Sequence, residues 1–179
     1  GVRWVGGVCR GVWGCAACGG GRGVVRGRTA SCGRGGGGVQ ERGATVGGLD
    51  GGGIMACLGA PVARTDAPDA AVAMARDVAT ALDARIDTWR IETHSLGYGI
   101  GLSFGPATLG VMGFEGLYNY TAVGAVVNLA SRLCAEAKHG EIVVDASFKT
   151  ADDLNGKLRR RPDVDLKGFG LIETFALVH

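Results

Sequence analysis

The sequence has no apolar run long enough to cross a membrane, and it lacks the cationic segment and apolar stretch of a secretory signal peptide. We therefore expect a cytoplasmic protein. Residues 1–53 contain neither lysine nor histidine, and their only acidic residues are Glu41 and Asp50. The net charge of +2 gives no indication of a nucleic-acid or membrane partner.

Paired metal ligands are scarce as well. Cys15 and Cys18 form a C-x-x-C pair, but a structural zinc site needs a second pair or two histidines at ligand spacing. Residues 1–53 offer only two further, isolated cysteines. We expect neither zinc nor a disulfide framework there. Cys57 and Cys134 lie in apolar surroundings and are interpreted as small core residues.

Glycine is abundant in the same segment. Residues 1–53 hold 21 of the 34 glycines and seven arginines, without a helical or strand-like hydrophobic period. Glycine clusters raise the entropic cost of ordering a chain, so disorder is expected for residues 1–52. An RNA-binding tail would carry repeated RGG units with aromatic residues to stack on bases. Here the arginines are irregular, and Trp4 and Trp13 are the only aromatics, so no nucleic-acid partner is expected.

From Ile54 onward the composition is that of one globular domain. Ile54–Leu58 and Glu141–Val144 are predicted to be buried strands. Asp66 is predicted to cap a helix from its N-terminal side, with Pro68 and Asp69 in the first turn. The apolar stripe of that helix is predicted to comprise Val72, Ala75, Val78 or Ala79, Leu82 and Ile86.

Two further strand pairs are predicted. Ile100–Phe104 and Ala107–Met112 are expected to pair around a turn at Gly105-Pro106. Val164–Lys167 and Ile172–Leu177 are expected to form a terminal hairpin. Strands that alternate with helices and close with a hairpin indicate an α+β sandwich.

Two polar side chains stand four residues apart in an apolar segment. Asn128 and Arg132 lie in a predicted helix that runs to about Ala137 and stops at Gly140. Residues at i and i+4 share one helical face, so the amide and the guanidinium project together. Thr121 lies seven residues before Asn128, about two turns away if the helix extends that far back. Such a polar group among apolar residues needs an internal partner, solvent or a ligand.

The residues around this pair, Glu115–Gly124 and Val127–Leu133, closely resemble the signature of the class III nucleotidyl cyclase catalytic domain. Four further segments extend the likeness at family-like spacing: Gly53–Pro61, Gly99–Gly105, Gly140–Val144 and Leu166–Phe169. The resemblance covers residues 53–179 and implies an α+β fold with a ferredoxin-like βαββαβ core. Residues 1–52 lie outside it, so the first strand and helix of that fold are missing or replaced.

The resemblance implies that a nucleoside triphosphate is converted into a 3′,5′-cyclic monophosphate and pyrophosphate. In the family, two Mg²⁺ or Mn²⁺ ions held by two aspartates activate the ribose 3′-oxygen and clamp the phosphates. By motif position, Arg132 braces the α-phosphate in the transition state and Asn128 orients the ribose. A guanidinium suits that role because it is always charged and offers a planar fork of donors.

The resemblance also indicates the substrate. By motif position Thr121 takes part in base choice, and threonine there is typical of a bicarbonate-responsive, largely bacterial subgroup of adenylate cyclases. We therefore expect ATP as the substrate; the hydroxyl of Thr121 is also a candidate helix cap. Lys167, in the sequence Leu166-Lys167-Gly168, is similar to the family lysine that reaches the triphosphate, and is alternatively an ordinary exposed hairpin lysine.

The sequence departs from the family pattern where the metal ions bind. The strand motif with the first aspartate, F-x-D-[IL]-x-G-F, is missing, and Gly52 stands where the G-D-G aspartate belongs. Asp50 lies two residues early, and Gly48 replaces the base-reading lysine. We therefore assign no metal ligand to this chain. Our hypothesis is that residues 1–52 are an out-of-frame translation of a cyclase N-terminus.

Family sites form between two chains, one giving the metal aspartates and the other the base, ribose and transition-state residues. A homodimer of this chain would lack metal carboxylates in both sites, whereas an intact partner chain would supply its aspartates to one hybrid site, which would still lack the base-reading lysine. The sequence is therefore interpreted as an adenylate cyclase domain for intracellular signalling, impaired by this loss. The alternative is a catalytically inactive, cyclase-like module that regulates by dimerising.

Overall fold

A computed structural model describes residues 6–18, 44–50, 53–59, 65–89, 97–114, 117–150 and 157–178. In chain order the strands are β1 (Gly6–Cys18), β2 (Thr45–Asp50), β3 (Gly53–Leu58), β4 (Tyr98–Phe114), β5 (Leu117–Val123), β6 (Glu141–Asp145), β7 (Leu158–Arg160), β8 (Val164–Leu166), β9 (Gly170–Ile172) and β10 (Thr174–Leu177). The helices are α1 (Ala67–Trp89) and α2 (Ala125–Glu136), with a 3-10 helix at Ala146–Thr150.

Eight of these strands form one mixed sheet within the described residues. The spatial order is β2-β3-β1-β4-β6-β10-β7, and β5 pairs with the second half of β4. Strands β8 and β9 form a separate antiparallel hairpin. The only parallel pairing in the described sheet joins β4 to β6, and α2 lies between these two strands in the chain.

The two helices pack on opposite faces of the sheet, because successive residues of a strand point to opposite sides. Tyr98, Ile100 and Leu102 of β4 share a buried cluster with the apolar stripe of α1. The intervening Gly99 and Gly101 face α2. The prediction is confirmed for Val72, Ala75 and Leu82, which are buried in α1, and both alternatives at the remaining position, Val78 and Ala79, are buried as well. The side chain of Ile86 lies outside the described part.

Helix α1 begins where the sequence predicts. The N–H of Ala70 donates to the carbonyl oxygen of Asp66 at 2.9 Å, so Asp66 stands at the N-terminal boundary, with Pro68 and Asp69 in the first turn. In the parts of the chain that are described, no helix is long and apolar enough to cross a membrane.

Strand β4 runs straight through Gly105 and Pro106, so the predicted turn between two paired strands is wrong. Over Tyr98–Gly110 it pairs with β1 on one side. On the other side it pairs with β6 over Gly99–Leu102 and with β5 over Thr108–Phe114. Pro106 lies in the gap between these two partners, where its missing N–H removes no ladder bond on that side. The Gly105-Pro106 pair therefore lies in a continuous strand, between the part of β4 that pairs with β6 and the part that pairs with β5.

Strand β1 occupies the centre of the sheet, which differs from the disorder expected for residues 1–52. It pairs antiparallel with β3 over Val12–Ala17 and with β4 over its full length, and β2 pairs with β3. Main-chain donors and acceptors on the facing edges of β3 and β4 need partners, and a strand between them supplies these whatever its side chains. The remainder of residues 1–52 lies outside the described residues.

The C-terminal part differs from the predicted single hairpin. Hairpin β8–β9 forms as expected, but the second strand is interrupted at Glu173. Beyond it, β10 joins the main sheet between β6 and β7. All four residues of β10 are buried, and their burial in the main sheet explains why the chain leaves the hairpin there. The buried strand predicted at Glu141–Val144 is confirmed as β6.

Both cysteines with described side chains belong to the core, as predicted. Cys57 is in a buried cluster with residues of β4, β5 and α2. The thiol of Cys134 lies 3.3 Å from the carbonyl oxygen of Gly99, to which it donates. Both are small groups that fill the space between α2 and the sheet.

Candidate functional site

Helix α2 lies directly against the backbone of β4, because that strand carries glycine where the helix crosses it. A Cβ at Gly101 would lie 2.3 Å from the amide nitrogen of Cys134 and 2.4 Å from the carbonyl oxygen of Ala130. A Cβ at Gly99 would lie 2.6 Å from that of Ala137. These separations leave no room for a side chain. The position of α2 on the sheet is therefore fixed by backbone contact.

The outward face of α2 carries Asn128 and Arg132. Both are exposed, whereas Val126, Ala130 and Leu133 are buried beneath the helix. Within the described residues neither polar side chain has a hydrogen-bond or ion-pair partner. The pair therefore has no internal partner among these residues, and both groups are open to solvent and to a ligand.

Thr121 is in β5, opposite Gly110 of β4, and is half-buried. Helix α2 does not extend back to it. The N-cap of α2 is Gly124, and no side chain caps the helix, so the capping role considered for Thr121 is wrong. A Cβ at Gly124 would lie 3.3 Å from the Cα of Ala107, so glycine lets the chain pass close to β4 as it enters the helix.

The helix ends close to Ala137, as predicted, but the predicted role of Gly140 is wrong. Its last residue is Glu136 and its C-cap is Ala137, so Gly140 is not the C′ residue. Gly140 instead has a φ of 75° in a turn that is closed by the N–H of Glu141 donating to the carbonyl oxygen of Lys138 at 2.9 Å. Gly140 thus adopts the left-handed conformation that favours glycine, and it does so at the entry into β6.

Lys167 lies at the turn of hairpin β8–β9 and is exposed. The turn is closed by the N–H of Phe169, which donates to the carbonyl oxygen of Leu166 at 2.8 Å, and Gly168 has a φ of 89°. Leu166 is buried in one cluster with Leu133 of α2 and Val143 of β6. The hairpin therefore packs on the same helix that carries Asn128 and Arg132.

The described residues do not fit a site for two metal ions. Strand β1 contains no aspartate or glutamate. Asp50 is the last residue of β2, opposite Gly53 across the β2–β3 connection. In the described ranges no three His, Cys, Asp or Glu residues are grouped so that they could hold a metal ion. The ligand set of two carboxylates is thus missing from the strand at the centre of the sheet.

One carboxyl group on the α2 face is partly buried. The hydroxyl of Ser147 donates to Oδ1 of Asp145 at 2.6 Å, and the N–H of Phe104 donates to Oγ of Ser147 at 3.2 Å. Burial raises the pKa of Asp145, and its hydrogen bonds with Ser147 oppose that rise. These contacts tie the 3-10 helix to β4. We assign them a structural role.

A cavity beyond the C-terminal end of α2 was not predicted. Its volume is about 390 Å³, and its lining includes Lys138, His139, Glu141, Arg159 and Val178. The adjacent Lys138 and His139 are visible in the sequence. Arg159 joins them only because β10 lies between β6 and β7, which no local pattern indicates.

The profile of the adenylate and guanylate cyclase catalytic domain matches residues 49–179. The fold is similar to the adenylyl cyclase CyaB from P. aeruginosa, with a TM-score of 0.86 and 19% identity over 98% of this chain and 96% of that chain. It is also similar to the guanylyl cyclase Cya2, with a TM-score of 0.83 and 22% identity over 96% of this chain and 93% of that one.

A third similar structure is the guanylate cyclase domain of RhGC from Catenaria anguillulae in complex with GTP. Its TM-score is 0.76, at 22% identity over 94% of this chain and 96% of that chain. A comparison with curated protein sequences finds no significant match. These similarities confirm the predicted α+β fold, and they include relatives with both base specificities.

Proposed function

Because this chain belongs to the family of adenylate and guanylate cyclase catalytic domains, we propose that it is one half of an adenylate cyclase site. It supplies the groups that bind the nucleotide and stabilise the transition state, and a partner chain supplies the metal carboxylates. The observation that carries this proposal is the exposed pair Asn128 and Arg132, which has no partner among the described residues and is held on a helix that rests directly on the sheet.

The proposed reaction converts ATP into 3′,5′-cyclic AMP and pyrophosphate. The ribose 3′-oxygen loses its proton to solvent and bonds to the α-phosphorus, while the bond from that phosphorus to the bridging oxygen breaks and pyrophosphate leaves with the electron pair. Negative charge grows on the phosphoryl oxygens. The guanidinium of Arg132 donates to these oxygens, and the amide of Asn128 holds the ribose so that attack is in line. Both groups are exposed on one helical face, as such a role requires.

Two further residues would complete the nucleotide contacts. Thr121 lies on the strand that leads directly into α2, and its hydroxyl is proposed to recognise the adenine base by hydrogen bonding. Lys167 lies on a hairpin packed against α2, and its ammonium group is the proposed contact to the triphosphate. In this proposal the threonine favours ATP over GTP, and it supports an assignment to the threonine-type adenylate cyclases.

The chain alone is expected to be nearly inactive. Two metal ions would stabilise charge on both the attacking and the leaving oxygens, and the described residues contain no group of three His, Cys, Asp or Glu that could hold a metal ion. A homodimer would repeat the same deficiency in both sites. A heterodimer with an intact chain would contain one site that combines the partner's metal aspartates with Asn128 and Arg132.

A mixing experiment tests this half-site. The partner is a cyclase catalytic domain that keeps both metal aspartates but has alanine at the position equivalent to Arg132. Neither protein alone is expected to make cyclic nucleotide, whereas the mixture with Mn²⁺ should produce cyclic AMP from ATP, measured by liquid chromatography. Arg132→Ala in this chain should abolish the rescue. Arg160→Ala, which removes an exposed arginine on β7, is the matched control and should retain it.

The second candidate is an inactive regulatory module, favoured by the carboxylate-free β1. It predicts that a heterodimer forms, as seen by size-exclusion chromatography, without any cyclic nucleotide from ATP or GTP. That result would reject the half-site. Production of cyclic GMP alone would retain the half-site but reject the role of Thr121 in selecting adenine.

A further inference from the structure

We propose that the cavity beyond the C-terminal end of α2 binds a small phosphate-bearing molecule. This site is separate from Asn128 and Arg132, and it does not depend on the proposed cyclase half-site. The cavity holds about 390 Å³, a volume in the range of small-molecule sites.

The cavity exists because two neighbouring strands, β6 and β10, separate where β6 begins and β10 ends. Pairing between β6 and β10 ends at Val143 and Ala176, although β6 starts two residues earlier and β10 continues to Leu177. Beyond Leu177 the N–H of Val178 donates to the carbonyl oxygen of Lys157, on the β7 side. The chain thus turns away from β6, and the opening between the two strands is lined from both sides.

The lining carries uncompensated positive charge. Lys138 and Arg159 come from different elements, and neither has an ion-pair partner in the described part of the chain. The one carboxylate in the lining, Glu141, is already engaged. Its Oε1 lies 3.2 Å from Nε of Arg161, and its Oε2 accepts the N–H of Lys138 at 3.0 Å. The charge of Glu141 is therefore balanced by an arginine that is not in the lining.

The chemistry of these groups selects an anion with several acceptor oxygens. The guanidinium of Arg159 offers a planar fork of donors, and the ammonium of Lys138 offers three more. His139 adds a ring nitrogen at the same edge, where its ring meets that of Tyr98 edge to face at a centroid distance of 5.5 Å. A phosphate group accepts from several donors at once, so it matches this set better than a neutral ligand or a cation does.

The site lies at the opposite end of α2 from Asn128. Asn128 is in the first turn of the helix, whereas Lys138 follows its last residue by two positions. The exposed Lys167 belongs to a hairpin packed on Leu133, and none of its residues lines the cavity. Binding at the cavity can therefore be observed independently of binding at the proposed catalytic residues.

The test is a titration of the full ¹⁵N-labelled chain with inorganic phosphate, followed by amide NMR shifts, at an ionic strength held constant with sodium chloride. We expect saturable shifts at Gly140, Glu141 and Val178. Arg159→Gln should raise the dissociation constant about tenfold or more, because a charge-assisted hydrogen bond is lost. Arg160→Gln is the matched control. It changes the next residue of the same strand, whose side chain faces Asp163 and Glu173, and it should leave the constant within about twofold.

Three results would overturn the proposal. They are the absence of saturable shifts, an equal loss in Arg159→Gln and Arg160→Gln, and shifts confined to residues around Arg132 and Lys167. An equal loss would mean general attraction to a basic surface, and confined shifts would mean binding at the nucleotide residues instead. Should Arg159→Gln fail to fold, Lys138→Gln is expected to give the same loss from a different element.

Discussion

Replacing Gly101 by alanine should destabilise the protein more than any other single methyl group added to β4. The new Cβ would lie 2.3 Å from the nitrogen of Cys134 and 2.4 Å from the oxygen of Ala130, which are backbone atoms one helical turn apart. Backbone atoms within a helix cannot rotate away as a side chain can, so α2 as a whole has to move off the sheet. Overpacking of this kind typically costs about 1–3 kcal/mol, and we expect about 3 kcal/mol here.

The matched control is Gly105→Ala, on the same strand and the same face. Its Cβ would be 3.5 Å from Cγ2 of Val126, an ordinary van der Waals contact. Neither glycine has a positive φ, so the alanine backbone is unstrained at both positions. Because alanine restricts the unfolded chain more than glycine does, Gly105→Ala should be neutral or stabilising by about 0.5 kcal/mol.

Urea denaturation followed by circular dichroism measures both free energies of unfolding. For a chain of this size, about 3 kcal/mol corresponds to a melting temperature lower by about 6–12 °C. Equal stability of the two variants would refute the backbone contact between α2 and β4. A second result would also count against the reasoning. If the Gly101→Ala variant has the free energy of unfolding of the native chain although Asn128 and Arg132 have moved, the contact with Gly101 does not fix the helix.

Further predictions concern single side chains. In the hybrid with an intact partner, Arg132→Ala should lower cyclase activity by about a hundredfold or more while changing the free energy of unfolding by less than about 0.5 kcal/mol, because the side chain is exposed. Burial raises the pKa of Asp145 in the folded protein above its ordinary value of 3.8. The protonated carboxyl therefore contributes to the free energy of unfolding below pH 3.8, and this contribution is lost as the pH rises through the pKa of the folded protein. Asp145→Asn should therefore gain stability relative to the native chain between pH 4 and 7 in urea denaturation; a constant difference would contradict this. Arg161→Met should cost about 2 kcal/mol in the same assay, because it leaves a carboxylate that is 16% exposed without its partner, and Arg160→Met should cost less than about 0.5 kcal/mol because its side chain is 65% exposed. Sequencing of the gene across codons 1–55 should reveal the F-x-D-[IL]-x-G-F motif in another forward frame; its absence from all three would reject the out-of-frame hypothesis.

Local patterns were sufficient for the elements whose periodicity is strong. The apolar stripe of α1 and the uninterrupted run of β6 both indicate burial within a few residues of chain, and both were predicted correctly. The helix that carries Asn128 and Arg132 was also predicted, although its start was not. Its first residue is set by Gly124 passing close to β4, which is a tertiary contact.

The remaining features depend on distant partners. Gly105 and Pro106 would suit a turn equally well, and only the change of neighbour from β6 to β5 explains why the strand continues. Strand β1 has no informative hydrophobic pattern. Its position is set by main-chain pairing with β3 on one side and β4 on the other, which the local sequence does not indicate. Likewise Arg159 and Lys138 are 21 positions apart in the sequence and meet at one cavity through the order of three strands.

The position of β1 within the sheet means that the fold and the catalytic chemistry depend on different parts of the same strand: the fold on its main chain and the chemistry on its side chains. Its neighbours recognise it through main-chain hydrogen bonds, which every amino acid except proline can provide. A change of reading frame in this stretch can therefore erase catalytic carboxylates and still yield a folded subunit. If such a subunit pairs with an intact cyclase chain as proposed above, each mixed pair would contain one site with metal aspartates, where two intact chains would contain two. The number of such sites then equals the number of intact chains at any abundance of the altered subunit, so a mutation in this strand would lower activity with the dose of intact chain and would not act as a dominant-negative allele.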